Sequence, residues 1–244
     1  MVKLSVNVNK VATLRNSRGG HDPSVIAAVD TCIAAGAPGI TVHPRADERH
    51  IRPDDVTAIA SRLKGLQPHV EFNIEGDPRP GLIEMALTVR PDQCTLVPVT
   101  PGEVTSQAGW SATTSAEWLG GIVRQLQAAG VRVSLFVDPD EDAVRWAASL
   151  RADRIELYTE PFAKAFARGG EEGRKSFEAY AAASRLAATL GLGVNAGHDL
   201  DLDNLVLFRE LPGLAEVSIG HALISRALWV GLDTVVREYL EVLE

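Results

Sequence analysis

The chain has little sulfur, few aromatic rings and no surplus of positive charge. Cys32 and Cys94 are its only cysteines, far apart and in no ligand-spaced motif. This argues against a disulfide framework and a thiolate metal centre; both read as small buried hydrophobes. Lys and Arg number 24 against 32 Asp and Glu, a net charge of −8. A nucleic-acid binder would show a basic face, so no nucleic-acid partner is expected. Local Arg and His clusters can still receive anionic substrates under a negative global sign. No apolar run is long enough to span a bilayer, and no membrane partner is expected. The start, Met1-Val-Lys-Leu-Ser, has no apolar stretch of signal-peptide length, which predicts a cytoplasmic protein with reduced thiols.

Absences also narrow the chemistry. No G-x-G-x-x-G follows any predicted strand, which counts against a dinucleotide-binding sheet. The six histidines are dispersed, and no His-x-x-x-His or acidic cluster has ligand spacing. No Lys ends a strand as an obvious Schiff-base nucleophile; Lys10 comes closest. Neither a metal nor a cofactor is expected.

What is present is an alternation of short apolar strands and helices. Strands are expected at Lys3 to Val8, Gly39 to Val42, Val70 to Ile74, Gln93 to Val97, Val131 to Val137, Arg154 to Tyr158, Leu192 to Asn195 and Glu216 to Ile219. Helices are expected from Asp22-Pro23 through Ala35, from Pro53, over Pro80 to Val89, over Ala116 to Ala129, after an Asp138 N-cap, over Lys175 to Leu190, and through Leu243. Residues 13–20 read as a polar segment, and the stretch before Gly169-Gly170 as a polar connector. Val99 to Ala112 reads as a long loop with a plausible lid role. Eight βα units in 244 residues, with no linker or composition break, predict a single (β/α)₈ TIM barrel over 1–244.

The stretch Gly39-Ile-Thr-Val-His-Pro-Arg-Ala-Asp-Glu-Arg-His50 organises the rest. A β-branched strand delivers His43, Arg45, Arg49 and His50 at its C-terminal exit, where Pro44 stops it. In a barrel all such exits meet at one face. Asn7, Glu75, Asp138, Glu156, His198 and Gly220-His221 would then converge with them. Each residue also has a plainer reading. His43 could close the rim through hydrogen bonds, but its cationic neighbours favour function. Arg45 and His50 could be solvated, but an Arg fork near a His suits a phosphate. Glu75 reads as an acid/base group of raised pKa or as half of a salt bridge. Glu156 alone says little, and Asp138 reads as structural. Gly220-His221 opens a helix whose N–H groups could hold a phosphate.

At these residues the chain resembles the pyridoxine 5′-phosphate synthase family. The motifs are Val6-Asn-Val-Asn-Lys-Val-Ala-Thr-Leu-Arg-Asn-Ser-Arg-Gly19, Gly39-Ile-Thr-Val-His-Pro-Arg45, Glu48-Arg-His-Ile51, Asn73-Ile-Glu75, Glu103-Val-Thr105, Ile155-Glu-Leu-Tyr-Thr159, Val194-Asn-Ala-Gly-His198 and Ser218-Ile-Gly-His-Ala222. The resemblance implies a barrel that condenses 1-deoxy-D-xylulose 5-phosphate with 3-amino-2-oxopropyl phosphate, and an octamer of paired barrels. It implies general-base roles for His43 and Glu75, a proton donor at His198 and a transition-state stabiliser at Glu156. Arg45, His50 and Thr105 would hold the deoxyxylulose phosphate; Asn7, Arg18, Gly220 and His221 the amino ketone phosphate, with Asp199 at a position that lines a substrate site. The chain departs from the familiar pattern in two places, with Asn9-Lys10 in place of Asp-His and Asp199 in place of Gly. The Asp199 carboxylate is expected to turn away from a bound anion, towards the 201–204 segment or Lys10. Other classes weighed are a binding protein without turnover and a phosphate-handling aldolase or isomerase.

Overall fold

The eight β-branched runs form eight parallel strands: β1 (Lys3–Asn7), β2 (Gly39–Val42), β3 (Glu71–Gly76), β4 (Gln93–Leu96), β5 (Arg132–Val137), β6 (Arg154–Tyr158), β7 (Gly193–Gly197) and β8 (Leu214–Ile219). Each pairs with the next, and β8 pairs back to β1 with Lys3 opposite Glu216 and Val6 opposite Ile219. The closed barrel is the (β/α)₈ architecture expected from the sequence. The structure is a computed structural model and describes residues 1–99 and 106–244. Around the barrel lie α1 (Asn9–Asn16), α2 (Val25–Ala34), α3 (Pro53–Leu63), α4 (Pro80–Val89), α5 (Ala116–Ala128), α6 (Glu141–Ser149), α7 (Glu160–Arg168), α8 (Gly170–Thr189), α9 (Leu202–Phe208), α10 (His221–Val230) and α11 (Leu232–Leu243). No helix among the described residues is long and apolar enough to cross a membrane.

Four local expectations are corrected. The polar segment after β1 contains a helix, α1, whose buried face is only Val11, Ala12 and Arg15. That face is too short to show a 3.6-residue apolar period. Ser24, not Asp22, caps α2, its hydroxyl accepting from the Ala27 N–H at 3.2 Å. Asp140, not Asp138, caps α6 by accepting from the Ala143 N–H at 2.9 Å; Asp138 instead accepts from the Gly109 N–H. The connector before Gly169 is helix α7, which buries Phe162 and Ala165.

Strand alternation separates two kinds of interior. Outward residues such as Leu4, Ile40, Ile74, Leu135, Leu157 and Val217 are fully buried beneath the helices. Each contributes about 1.5–3 kcal/mol as it leaves water. The inward residues are mostly polar and bond across the barrel. Ser5 meets Thr41 at 2.6 Å, Thr95 donates to Asn73 at 3.1 Å, and Asn195 reaches both Gln93 and Glu216. At the floor, Arg154 donates to Asn195, and Arg132 joins Gln93 to Glu71, which also receives Lys3. A small apolar cluster of Val97, Phe136 and Tyr158 sits above this network.

Glu216 belongs to that floor and is 3% exposed. Burial first, then the charge of Glu71, pushes its carboxyl up to about 7, against the pull of Arg154, Arg132 and Lys3. The fold therefore favours the neutral acid. That contribution is complete below about 4.5 and is lost as pH rises through about 7. Glu216→Gln, which stays neutral, is expected to match the wild type near pH 4.5 and to melt higher at pH 8. A rise of about 3 °C corresponds to roughly one kcal/mol in a domain of this size. Thermal melts at the two pH values check it; equal differences at both would refute the assignment.

Candidate active site

The C-terminal ends of the strands open into a cavity of about 540 Å³. Its walls bring together Asn7, His43, Arg45, His50, Glu75, Glu156, His198, Asp199, Gly220 and His221. Asn9, Lys10, Thr13, Arg49, Ser106, Glu160 and Ser218 complete the polar lining. Arg18 is not part of this wall; it is exposed in the turn after α1. Thr105 lies outside the described residues, as does part of the loop expected at 99–112.

Helix α1 fixes the loop that follows β2. Arg15 pairs through two nitrogens with Asp55, at 2.5 and 2.9 Å, and reaches the His50 carbonyl. Asn16 Nδ2 donates to the same carbonyl at 2.7 Å and to that of Glu48. Arg79 donates to the Pro44 carbonyl from the other side. Asn9 Oδ1 accepts from the His43 N–H at 2.9 Å, so this departure from the familiar pattern supports the strand end directly.

Within this frame the two rings stay neutral for the same reason. Burial lowers His43 to about 3, helped by the neighbouring His50 ring and by the charges of Arg45 and Arg79. Its Nε2 is buried and has no hydrogen-bond partner among the described residues. Burial also lowers His50 to about 4, with Arg45 and Lys10 adding to it. His50 Nδ1 accepts from the Ile51 N–H at 2.9 Å. The proton of the neutral ring therefore resides on Nε2, making His50 a donor without a full charge.

The carboxylates face the opposite pressure. Burial lifts Glu75 to about 7; the Ser218 hydroxyl, donating at 3.2 Å, pulls it down, and Glu216 pushes it up. Glu156 is driven well above the usual carboxylate range, first by burial and then by the charges of Glu75 and Glu216. The two carboxyls thus differ: Glu75 sits near neutrality, while Glu156 is held in its neutral form. Gly197 makes room for Glu156, since a Cβ there would overlap its Oε1.

His198 and Asp199 leave β7 side by side. His198 Nδ1 lies 2.9 Å from Asp199 Oδ2, and the Tyr158 ring packs edge-on at 5.1 Å. The Asp199 carboxylate thus turns neither to the 201–204 segment nor to Lys10. Asp201 caps α9 itself, and the basic side chains beside Asp199 are His198, His221 and Lys164. Across the mouth, α10 begins at His221, with Gly220 packed against Asn7. Among the described residues, no group of three or more His, Cys, Asp or Glu could hold a metal ion.

Sequence reasoning passed over Ser218, although it lies inside a quoted motif. Its signal is parity: it stands two residues before Gly220 on the inward face of β8. Ser106 and Glu160 carried no such signal, because loop and helix geometry brings them to the wall.

The whole chain has counterparts. Residues 4–244 match the family described as pyridoxal phosphate biosynthesis protein PdxJ. A pyridoxine 5′-phosphate synthase of Bacteroides thetaiotaomicron is 50% identical over 240 residues, 98% of each chain. That of Flavobacterium johnsoniae is 49% identical over the full length of both. Among solved structures, phosphoribosyl anthranilate isomerase from Thermotoga maritima is similar with a TM-score of 0.63, covering 100% of this chain and 98% of its own. Its 15% identity speaks for the fold alone. The motif string, the barrel and the match over residues 4–244 place this chain in the PdxJ family.

Proposed function

We propose that the chain condenses 1-deoxy-D-xylulose 5-phosphate with 3-amino-2-oxopropyl phosphate, giving pyridoxine 5′-phosphate, phosphate and water. The observation that carries this reading is the split in protonation across one cavity, with His43 a neutral base, Glu75 poised near 7 and Glu156 a neutral acid. The condensation requires such a set. An amine attacks a ketone, carbinolamines lose water, and an enol ejects phosphate; every step moves a proton. Glu75 and His43 take protons from the condensing carbons and nitrogen. Glu156 donates a hydrogen bond to oxygen as charge builds on it. His198 returns a proton to a departing oxygen. The names of the 49–50% identical relatives support the same chemistry. Incubation with both substrates and detection of pyridoxine 5′-phosphate tests the reading. Binding without product would leave a binding protein, and cleavage of a single phosphorylated sugar would indicate an aldolase.

Arg45, His50 and Lys10 cluster on one side of the cavity mouth, while Asn7, Gly220 and His221 lie where α10 begins. The first group is assigned to the deoxyxylulose phosphate and the second to the amino ketone phosphate, held by N–H groups at the helix start. Arg45→Ala is expected to cost the deoxyxylulose phosphate about 1.5–3 kcal/mol of binding, the scale of a charge-assisted contact, with little change for the amino ketone. Separate titrations of each substrate check this; equal losses would contradict the division.

By the same resemblance the protein is assigned to the cytoplasm and to a homo-octamer. Trp229 is 86% exposed, Leu228 68% and Leu14 53%. They lie on α10 and on α1, which packs beside it, and this is apolar area that a second copy would cover. Light scattering should give the mass of eight chains; a monomer mass would remove the assignment.

A further inference from the structure

Where β7 ends, two consecutive residues other than glycine adopt left-handed backbones, with φ 85° at His198 and 61° at Asp199. Such a backbone is strained for a residue with a Cβ and persists only where its surroundings hold it. Here the surroundings do. The Thr159 hydroxyl, fully buried, shares its one proton between the carbonyls of Gly197 and His198. Asn204 Nδ2 donates to the Asp199 carbonyl at 3.1 Å. The amide of Asn204 is itself oriented, because its Oδ1 accepts from the Asp201 N–H at 3.0 Å. Three side-chain contacts from two neighbouring elements thus enforce a backbone that neither residue prefers.

What this geometry achieves is the 2.9 Å approach of Asp199 Oδ2 to His198 Nδ1. An ionised carboxylate can only accept a hydrogen bond, so Nδ1 must carry the proton whatever the charge of the ring. The hydrogen bond to His198, with His221 and Lys164 nearby, holds the Asp199 carboxyl below its usual range and therefore ionised. The edge-on Tyr158 ring limits rotation of the imidazole. A carboxylate used in this way also does not face the phosphate, which it would repel.

We propose that Asp199 is a positioning residue that locks His198 in the Nδ1–H tautomer and so makes Nε2 the proton-transferring atom of the site. The proposal deepens the reading of His198 as proton donor and rests on it for the kinetic part alone. In the transfer, the imidazolium gives its Nε2 proton to a substrate oxygen, and the bonding pair stays on Nε2. The ring is left neutral with Nδ1–H, and Asp199 remains ionised throughout.

The test is the imidazole nitrogen spectrum of ¹⁵N-histidine-labelled protein, recorded where the ring is neutral, with His198 assigned by its loss in His198→Gln. Asp199→Gly accepts the backbone without strain, and Asp199→Asn tolerates it, so both variants keep the turn. The wild type is expected to show His198 protonated at Nδ1, and both variants to move towards the Nε2–H form. Turnover should fall about tenfold in each, the scale of removing a group that orients a reacting residue, with KM for both substrates little changed. A wild-type ring protonated at Nε2, or a tautomer indifferent to both substitutions, would overturn the proposal. The tautomer is read without substrate, so a failed synthesis assay would sink the functional reading while leaving this result to stand.

Discussion

Glu75→Gln is expected to fold normally and to lose at least about a hundredfold in turnover, the scale of a removed general acid/base. The carboxyl is buried at the end of β3, where Ser218 donates to it and the charge of Glu216 opposes its ionisation. These influences leave it at about 7. A base must be deprotonated to act, so wild-type turnover should rise with pH and level off above about 7. The Gln variant should retain a small rate without that rising limb. Glutamine preserves shape and can still accept from Ser218, so a loss of fold is not expected. Circular dichroism and a pH profile of kcat check the two halves separately. Near-wild-type turnover in a folded variant would remove Glu75 from the chemistry.

The second large effect comes from a single methyl group. Gly197→Ala places a Cβ on Glu156 Oε1, with the Ser218 carbonyl at 3.4 Å closing the other side. Glu156 is 3% exposed, so the displaced carboxyl has little space to move into. Overpacking of this kind costs about 1–3 kcal/mol. Turnover should fall by at least about tenfold, because a hydrogen-bond donor moves away from the reacting oxygen. Gly81→Ala is the matched control. Its Cβ meets nothing within 4 Å in α4, and the exchange should be neutral or stabilising. If Gly197→Ala kept full turnover, Glu156 would not be acting from the position seen here.

The barrel and its mouth were legible because the pattern repeats. Each of the eight strands carries apolar residues at alternate positions, and all but β4, which runs into Val97-Pro98, end in a polar exit. Even a strand misplaced by a residue or two leaves the exits in order. His43, Glu75, Glu156 and His198 share one cavity for that reason. What was not legible depends on single contacts between distant segments. Nothing near Arg15 announces its pairing with Asp55, and that pairing is what makes α1 a fixed wall. Asp138 and Asp140 both precede a helix with suitable chemistry, and only the backbone of the Gly109 turn decides which one caps it. Asp199 was expected to seek the 201–204 segment or Lys10; the left-handed turn gives it the neighbouring ring instead. The glycines at 169 and 170 suggested a connector, whereas the buried Phe162 and Ala165 hold α7 together from within.

The division of each strand into an oily outer face and a polar inner face also shapes how the protein can change. Substitutions on the outer face should reduce expression and melting temperature while sparing the rate of the molecules that fold. Substitutions of inner-face side chains at the mouth should act first on the rate, because the helices still grip the far side of the strand, whereas those at the bonded floor or at Gly197 also change stability. A saturation library sorted first for soluble yield and then for turnover should therefore show two interleaved classes. They should alternate residue by residue along β1 to β8, with Leu4 and Val6 in one class and Ser5 and Asn7 in the other. Selection can then act on catalysis and on durability through separate sets of codons, so one property can drift while the other is held.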